Sequence, residues 1–158
     1  VTADLKNALP GDHGIHLHEF GDCSGEDFAS AGSHLNPTGM PHAGPTDQAR
    51  HFGDLGNIKV DENGNGQLTE TLTFANQPVA ALQELIIGKA VILHEGTDDL
   101  ITQPSGNSGN RSRLIMKRRS LGPGTLRVLK ISMSADPSHT VARVRRRHSA
   151  AERAWSGS

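Results

Sequence analysis

Short alternations of apolar and polar residues recur through the first 110 positions and predict β-strands. Residues 15–20 read Ile-His-Leu-His-Glu-Phe, a period of two that is typical of a strand with one buried face. No segment keeps an apolar period of 3.6 residues, so no long helix is predicted and the fold class is all-β. Further strand-like stretches occur at residues 1–6, 55–61, 67–74 and 84–95.

Glycines punctuate these predicted strands. The stretches at 55–61 and 67–74 are separated by Glu-Asn-Gly-Asn-Gly at 62–66, which is a strong signal for a β-hairpin. Gly88 interrupts the apolar residues of 84–95, as expected for a buried strand with a kink. The pattern therefore predicts a sheet protein with at least one tight hairpin.

Two stretches between the predicted strands, residues 21–54 and 96–109, are long loops. The first contains 34 residues, among them three histidines and several glycines and prolines. Structureless loops longer than about 12–15 residues are uncommon in compact domains unless they carry function. We therefore expect a metal ion to hold the first loop in place.

Histidine spacing carries the main chemical signal. His16 and His18 are two positions apart in a predicted strand, so their imidazoles project from the same face. His94 ends another predicted strand, from which it can approach that pair. A lone histidine is more often a hydrogen-bonded structural residue than a ligand. Here the spacing, beside a loop that lacks other support, favours metal ligation.

A second candidate set lies in the first long loop. His42, His51 and Asp54 offer two imidazoles and one carboxylate, which suit zinc together with one further nitrogen ligand. His34 lies between the two sets in sequence, and an imidazole that bridges both ions would complete two four-coordinate sites. An imidazole-rich site suits copper, which supplies one-electron chemistry that zinc lacks. The simpler interpretation is a loop held by zinc alone, with exposed histidines nearby.

Length and composition limit the class of protein. At 158 residues and 16.8 kDa, the chain suits a single domain with a buried core. No apolar run approaches the roughly 20 residues that cross a bilayer, so no membrane-spanning segment is predicted. The single cysteine, Cys23, cannot form an internal disulfide.

Charge divides the chain into two parts. Residues 1–110 carry 15 acidic and four basic side chains, a net charge of −11, whereas residues 111–158 carry a net charge of +10. We predict a globular domain over 1–111 followed by a basic, poorly ordered tail over 112–158. The abrupt change also suggests a changed reading frame. Clustered arginines can bind polyanions, although a solvated charged face is the simpler interpretation.

Five segments of the chain carry a resemblance to a known family. They are HGIHLHEFGDCS (13–24), AGSHLNPTGMPHAGP (31–45), RHFGDLGNI (50–58), AVILHEGTDDL (90–100) and SGNSGNR (105–111). In this order they resemble the copper/zinc superoxide dismutase family over about residues 1–111. The resemblance implies an all-β Greek-key β-barrel, or sandwich, with its metals beneath the two long loops. The barrel is expected to be incomplete at both ends, because the family's first two strands and its apolar final strand are not matched.

The resemblance also implies the reaction and the ligands. Two superoxide anions and two protons would give dioxygen and hydrogen peroxide. His34 would bridge the two ions and deliver a proton as its bridge breaks and re-forms. The implied copper ligands are His16, His18, His34 and His94, and the implied zinc ligands are His34, His42, His51 and Asp54.

Three further residues take expected roles from the family. Arg111 matches the arginine at the mouth of the copper channel, which attracts and orients the anion. Asp98 matches the carboxylate that hydrogen-bonds one copper histidine and one zinc histidine. Cys23 matches a cysteine of the family's disulfide, but the expected partner is missing because residues 112–117 contain no cysteine.

Two functions are carried forward as alternatives. An active dismutase, with superoxide as substrate and copper and zinc as cofactors, is favoured. The alternative is a zinc- or copper-binding module without turnover, because the barrel is incomplete. A homodimer is compatible with the family, and no nucleic-acid or membrane partner is expected. The position of Cys23 favours a periplasmic or secreted location, with a cytoplasmic one also open.

Overall fold

The computed structural model describes residues 1–72, 79–112, 117–118 and 130–134. These residues include one α-helix, α1 (Val79–Ile86), one 3-10 helix (Glu26–Ala31) and eight strands. The strands are β1 (Thr2–Lys6), β2 (Gly11–Leu17), β3 (Asp54–Val60), β4 (Gly66–Thr69), β5 (Val91–His94), β6 (Arg111–Ser112), β7 (Lys117–Arg118) and β8 (Lys130–Ser134). The rest of 112–158 lies outside the described residues, so its poor order stays a prediction.

All eight strands belong to one sheet, with the order β6-β5-β2-β3-β4-β1-β8-β7. The described strand pairs are antiparallel except β1 with β8, which run parallel. The predicted all-β class is confirmed, since the described residues form an incomplete, mostly antiparallel half-barrel with few helices. Within those residues, no helix has the length and apolar character needed to cross a bilayer.

The apolar core joins the sheet to the loops. Burying a large aliphatic or aromatic side chain contributes roughly 1.5–3 kcal/mol, so residues that enter this cluster fix the segments that carry them. Leu35 and Phe52 enter it from the first long loop, and Leu82 enters it from α1. The remaining buried members are Ala3, Leu5, Ile15, Leu17, Leu55, Ile58, Val60, Val91 and Leu93.

The prediction of one kinked strand over 84–95 is wrong. The first part of this stretch belongs to α1, and only β5 is a strand. The reason is a short helical pattern, in which Leu82, Leu85 and Ile86 share one face and pack against the core. Gly88, at φ +81°, forms the turn after the helix rather than a kink in a strand. The expectation that no 3.6-residue pattern occurs therefore fails over this one short segment.

The other predicted strands are present, with shifted ends. β2 begins at Gly11 instead of residue 15 and ends at Leu17 instead of residue 20. β4 ends at Thr69, and residues 73–74 of the predicted strand lie outside the described residues. β3 and β4 are antiparallel neighbours, joined by the predicted hairpin turn.

The first long loop is tied back to the end of β2. Leu35 donates its N–H to the Leu17 carbonyl at 2.8 Å, Gly53 donates to Leu35 at 2.9 Å, and Leu17 donates to Gly53 at 2.9 Å. A Cβ on Gly53 would overlap the Leu17 carbonyl oxygen, so glycine permits this close approach. His18 and His34 face each other in an isolated antiparallel bridge. The loop histidines are thereby brought to the strand histidines.

Candidate metal centre

Six histidines and one aspartate converge in buried positions. They form two groups that share His34, and within each group the candidate ligand atoms lie within 4.8 Å of one another. The structure therefore brings together all the residues that the sequence placed in the two candidate sets. The first group is His16, His18, His34 and His94, and the second group is His34, His42, His51 and Asp54.

Each of these six histidines keeps one buried ring nitrogen without a hydrogen-bond partner. Such atoms are rare in proteins, because an unpaired buried polar atom loses its interaction with water. A metal ion satisfies imidazole nitrogens through their lone pairs, so the donor chemistry fits copper and zinc ions. The atoms are His16 Nδ1, His18 Nε2, His34 Nε2, His42 Nδ1, His51 Nδ1 and His94 Nε2.

His34 belongs to both groups, and its two ring nitrogens differ in their surroundings. Its Nε2 is the unpaired atom, and its Nδ1 lies 2.9 Å from Asp54 Oδ1. The same carboxylate oxygen lies 3.0 Å from His42 Nδ1 and 3.2 Å from His51 Nδ1. Burial raises the pKa of Asp54, but the hydrogen bond with His34 and the neighbouring imidazoles outweigh it and hold this pKa below its usual range. Three imidazole nitrogens around one carboxylate oxygen are a donor set that suits zinc.

Backbone carbonyls fix the orientation of two histidines in the first group. His18 Nδ1 lies 2.9 Å from the carbonyl oxygen of Gly32, and His94 Nδ1 lies 3.2 Å from that of Gly109. Because a carbonyl only accepts, Nδ1 carries the proton in both rings and donates it. The opposite nitrogen, Nε2, is left with the lone pair that a metal needs.

Burial keeps three imidazoles of the first group, those of His16, His18 and His94, neutral. Desolvation lowers the pKa of His16 to about 3, that of His18 to about 2 and that of His94 to about 4. The positive charge of Arg111 lowers the pKa of His18 and His94 further. These imidazoles therefore hold no extra proton at pH 7, and their lone pairs are available as ligands.

Asp98 links the two groups. Its Oδ2 lies 2.7 Å from His16 Nε2, and its Oδ1 lies 2.9 Å from His42 Nε2. Burial by itself raises the pKa of Asp98, but hydrogen bonds from His16 and the Leu100 amide outweigh it and lower the pKa to about 2. The carboxylate is thus ionised at neutral pH and holds one ring from each group in a fixed orientation.

Arg111 approaches the first group from β6. Its Nη1 donates to the carbonyl oxygen of Phe28 at 2.6 Å, and its Nη2 donates to that of Gly32 at 2.7 Å. Asp27 and Phe28 both adopt positive φ angles, 54° and 57°, in the segment that presents the first of these carbonyls. Gly32 therefore accepts hydrogen bonds from both His18 and Arg111, which places the guanidinium beside the first group.

Comparison with known families and structures decides the relationship. The family model described as copper/zinc superoxide dismutase (SODC) matches residues 1–114. The chain belongs to this family. A solved structure titled "Crystal Structure Analysis of the clock protein EA4" is similar to it, with 40% sequence identity and a TM-score of 0.57. That match covers 68% of this chain and 70% of the other. The resemblance carried by the five sequence segments is therefore confirmed.

Cys23 and His13 lie outside both groups of this dismutase-family site. Cys23 is a partly buried cysteine that packs against the small apolar cluster containing Ala31 and Ile92. His13 places its two ring nitrogens 2.9 Å from the carbonyl oxygens of His94 and Leu9, respectively. His13 thus braces the backbone of a candidate ligand.

Two amides near the site were missed by the sequence analysis. The side chain of Asn57 bonds the backbone of Asp98, and the side chain of Gln103 bonds the backbone of His42. Asn57 lies in a segment that resembles the dismutase family, which was a usable signal. Gln103 lies between two such segments, in a loop without any periodic pattern, and no sequence signal marked it.

Gly106 makes room for the carboxylate that links the two groups. A Cβ at this position would overlap Asp98 Oδ1 and lie 2.6 Å from His42 Nε2. The backbone also has φ +68°, a conformation that L side chains rarely adopt. The absence of a side chain at Gly106 is therefore a steric requirement of the Asp98–His42 contact.

Replacing Gly106 with alanine is expected to destabilise the metal-free chain by roughly 3 kcal/mol, because the clash adds to the cost of a positive φ. Gly39→Ala is the matched control, since Gly39 has φ +66° but open space around its Cβ position. It should cost only about 1–2 kcal/mol. Urea unfolding followed by circular dichroism measures both. Equal losses in the two variants would contradict the steric argument.

Proposed function

We propose that this chain is a superoxide dismutase, which converts two superoxide anions and two protons to dioxygen and hydrogen peroxide. The observation that carries the proposal is the shared imidazole of His34. His34 belongs both to a group of histidines and to a group that includes Asp54, with Nδ1 beside that carboxylate and Nε2 otherwise unpaired. Membership of the copper/zinc superoxide dismutase family supports the same reaction.

We assign copper to the first group of residues and zinc to the second group. Copper supplies the one-electron chemistry of the reaction when bound, and zinc supplies a fixed positive charge. The histidines would hold these ions through the ring nitrogens that are otherwise unpaired. The proposed copper ligands are His16, His18, His34 and His94, and the proposed zinc ligands are His34, His42, His51 and Asp54.

His34 is the proposed proton carrier. Its Nε2 would accept a proton when no metal ion holds this nitrogen, and would then donate the proton to the reduced oxygen species. Throughout, Nδ1 stays directed at Asp54. Burial lowers the pKa of His16, His18 and His94, so these three imidazoles do not take up a proton at pH 7. Asp98 keeps the His16 ring from rotating during this transfer.

Arg111 is proposed to attract and orient the superoxide anion. Its guanidinium is held on two carbonyl oxygens and remains partly exposed, so its charge is available to an incoming anion. Electrostatic steering of this kind raises association rates by about 10–10³-fold. The fixed position also favours one approach of the anion toward the first group.

The test is superoxide dismutation by the 158-residue chain after reconstitution with copper and zinc. We expect activity in the reconstituted chain and none in His94→Ala, because His94 belongs to the first group. His148→Ala, a histidine of the tail outside the matched family region, is the matched control and should retain activity. A folded, metal-loaded chain without dismutation would contradict the proposal.

The alternative is a metal-binding module without turnover. Two observations favour it: the chain has a single cysteine and so lacks an internal disulfide, and the similar solved structure is titled as that of a clock protein. The copper-to-zinc ratio after reconstitution separates the two functions. One ion of each kind per chain supports the dismutase, and zinc alone supports the module.

The proposal extends to domain organisation and compartment. Residues 1–111 are the proposed metal-binding domain, and residues 112–158 are a basic tail that the reaction does not need. A periplasmic or secreted location is proposed because Cys23 stands where the family places a disulfide cysteine. Pairing of two copies into a homodimer is compatible with this assignment.

A further inference from the structure

The side-chain amide of Gln103 forms two hydrogen bonds with the backbone of His42. The His42 N–H donates to Gln103 Oε1 at 2.7 Å, and Gln103 Nε2 donates to the His42 carbonyl at 2.7 Å. The same Nε2 also donates to the Ile101 carbonyl at 3.0 Å. One exposed side chain thus serves both backbone groups of a residue 61 positions away and joins the two long loops.

His42 depends on such support because its ring is held between two carboxylates. The side chain is fully buried, with Nδ1 lying 3.0 Å from Asp54 Oδ1 and Nε2 lying 2.9 Å from Asp98 Oδ1. His42 itself lies in the first long loop, outside any helix or strand. Only Nε2 is hydrogen-bonded, and Nδ1 keeps its lone pair beside Asp54. Because hydrogen-bond distance and angle are narrowly limited, a small shift of this backbone would disturb both contacts.

The second partner of this ring is held in the same manner. Asp98 donates its N–H to Asn57 Oδ1 at 2.7 Å, and Asn57 Nδ2 donates to the Asp98 carbonyl at 2.9 Å. Asn57 belongs to β3, so its hydrogen bonds attach the Asp98 backbone to the sheet. Gln103 instead attaches the His42 backbone to the loop that carries Asp98. The two amides together set the distance between His42 and Asp98.

We propose that Gln103 is a positioning residue for zinc, acting through the backbone of His42. This inference rests on the ligand assignment of the proposed function. By holding both backbone groups of His42, Gln103 keeps Nδ1 directed at the second group while Nε2 bonds Asp98. Its loss releases the ring from this orientation and weakens zinc binding, without removing any ligand.

The test compares Gln103→Met with the wild-type chain, since methionine is similar in length and lacks both amide groups. Zn²⁺ affinity is measured by competition with a chromogenic chelator, and Co²⁺ bound in place of zinc reports ligand geometry through its visible absorption. We expect about 10- to 100-fold weaker Zn²⁺ binding, the usual cost of losing a hydrogen-bond partner behind a metal ligand. The Co²⁺ spectrum should change as well.

Gln67→Met is the matched control, because Gln67 also bonds a distant residue, Asp4, but lies in neither group. It should bind Zn²⁺ with wild-type affinity. Wild-type affinity and an unchanged Co²⁺ spectrum in Gln103→Met would overturn the proposal, as would an equal loss in Gln67→Met. Gln103→Asn, which keeps an amide but falls short of His42, serves as the milder variant and should weaken Zn²⁺ binding in the same direction.

Failure of the proposed function is distinguishable from failure of this inference. A wild-type chain that binds Zn²⁺ but lacks dismutation contradicts the proposed reaction. The Zn²⁺ affinities of Gln103→Met and the wild-type chain can still be compared in that case. A wild-type chain without Zn²⁺ binding overturns both, because the inference rests on the zinc ligands.

Discussion

Replacing His34 with alanine is expected to abolish dismutation and to remove both metals together. His34 belongs to both groups, with Nδ1 lying 2.9 Å from Asp54 Oδ1 and Nε2 otherwise unpaired, so a single truncation should take one donor from each group. The loss of affinity for each ion should exceed the about 10- to 100-fold that follows loss of an outer hydrogen-bond partner. Metal content after dialysis, measured by atomic absorption, and dismutation on the same sample test the prediction.

His51→Ala is the matched control for His34→Ala. His51 belongs only to the second group, with Nδ1 lying 3.2 Å from Asp54 Oδ1. This variant should lose zinc and retain copper. Retention of one copper and one zinc by His34→Ala would contradict the shared role of this imidazole, as would selective loss of either ion alone.

Replacing Arg111 with methionine is expected to slow dismutation by about 10-fold or more, through the rate at which the anion arrives. The guanidinium charge lowers the pKa of both His18 and His94, and two carbonyl oxygens fix the guanidinium beside the first group. Because salt screens such attraction over about 8–10 Å, the wild-type rate should fall as ionic strength rises. The Arg111→Met rate should respond less. Stopped-flow measurement at increasing salt checks both effects.

Lys89→Met is the matched control for this charge. Lys89 also donates to a backbone carbonyl, that of Glu19, at 2.6 Å, but it contributes to neither group. We expect a wild-type rate and salt dependence. Arg111→Lys keeps the charge but loses the two-pronged contact, so it should recover part of the rate. An Arg111→Met rate equal to wild type would exclude a steering role.

Strand positions and candidate ligands could be read from the sequence because both depend on local order. The alternation around His16 and His18 places two imidazoles on one face wherever that segment is extended. The long loops were visible as stretches without periodicity. The helix α1 was missed because its pattern is only eight residues long, and its stability comes from packing Leu82 against the core.

The finer contacts of the site depend on residues far apart in the chain. Asp98 meets His16 across 82 positions and His42 across 56. The family resemblance suggested that role for Asp98, but no local pattern reveals which oxygen faces which ring. Gln103 is the extreme case, because an amide in an irregular loop carries no signal until folding brings His42 against it.

The order of amino acids alone therefore predicts the fold class and the seven candidate donor side chains, since strand period and donor chemistry are properties of single segments. Tertiary structure decides which nitrogen of each imidazole is left unpaired. That choice follows from carbonyls and carboxylates supplied by distant segments, such as Gly109 for His94. The sequence does not distinguish the two ring nitrogens of a histidine. The groups that the fold places beside each nitrogen determine which one carries the proton.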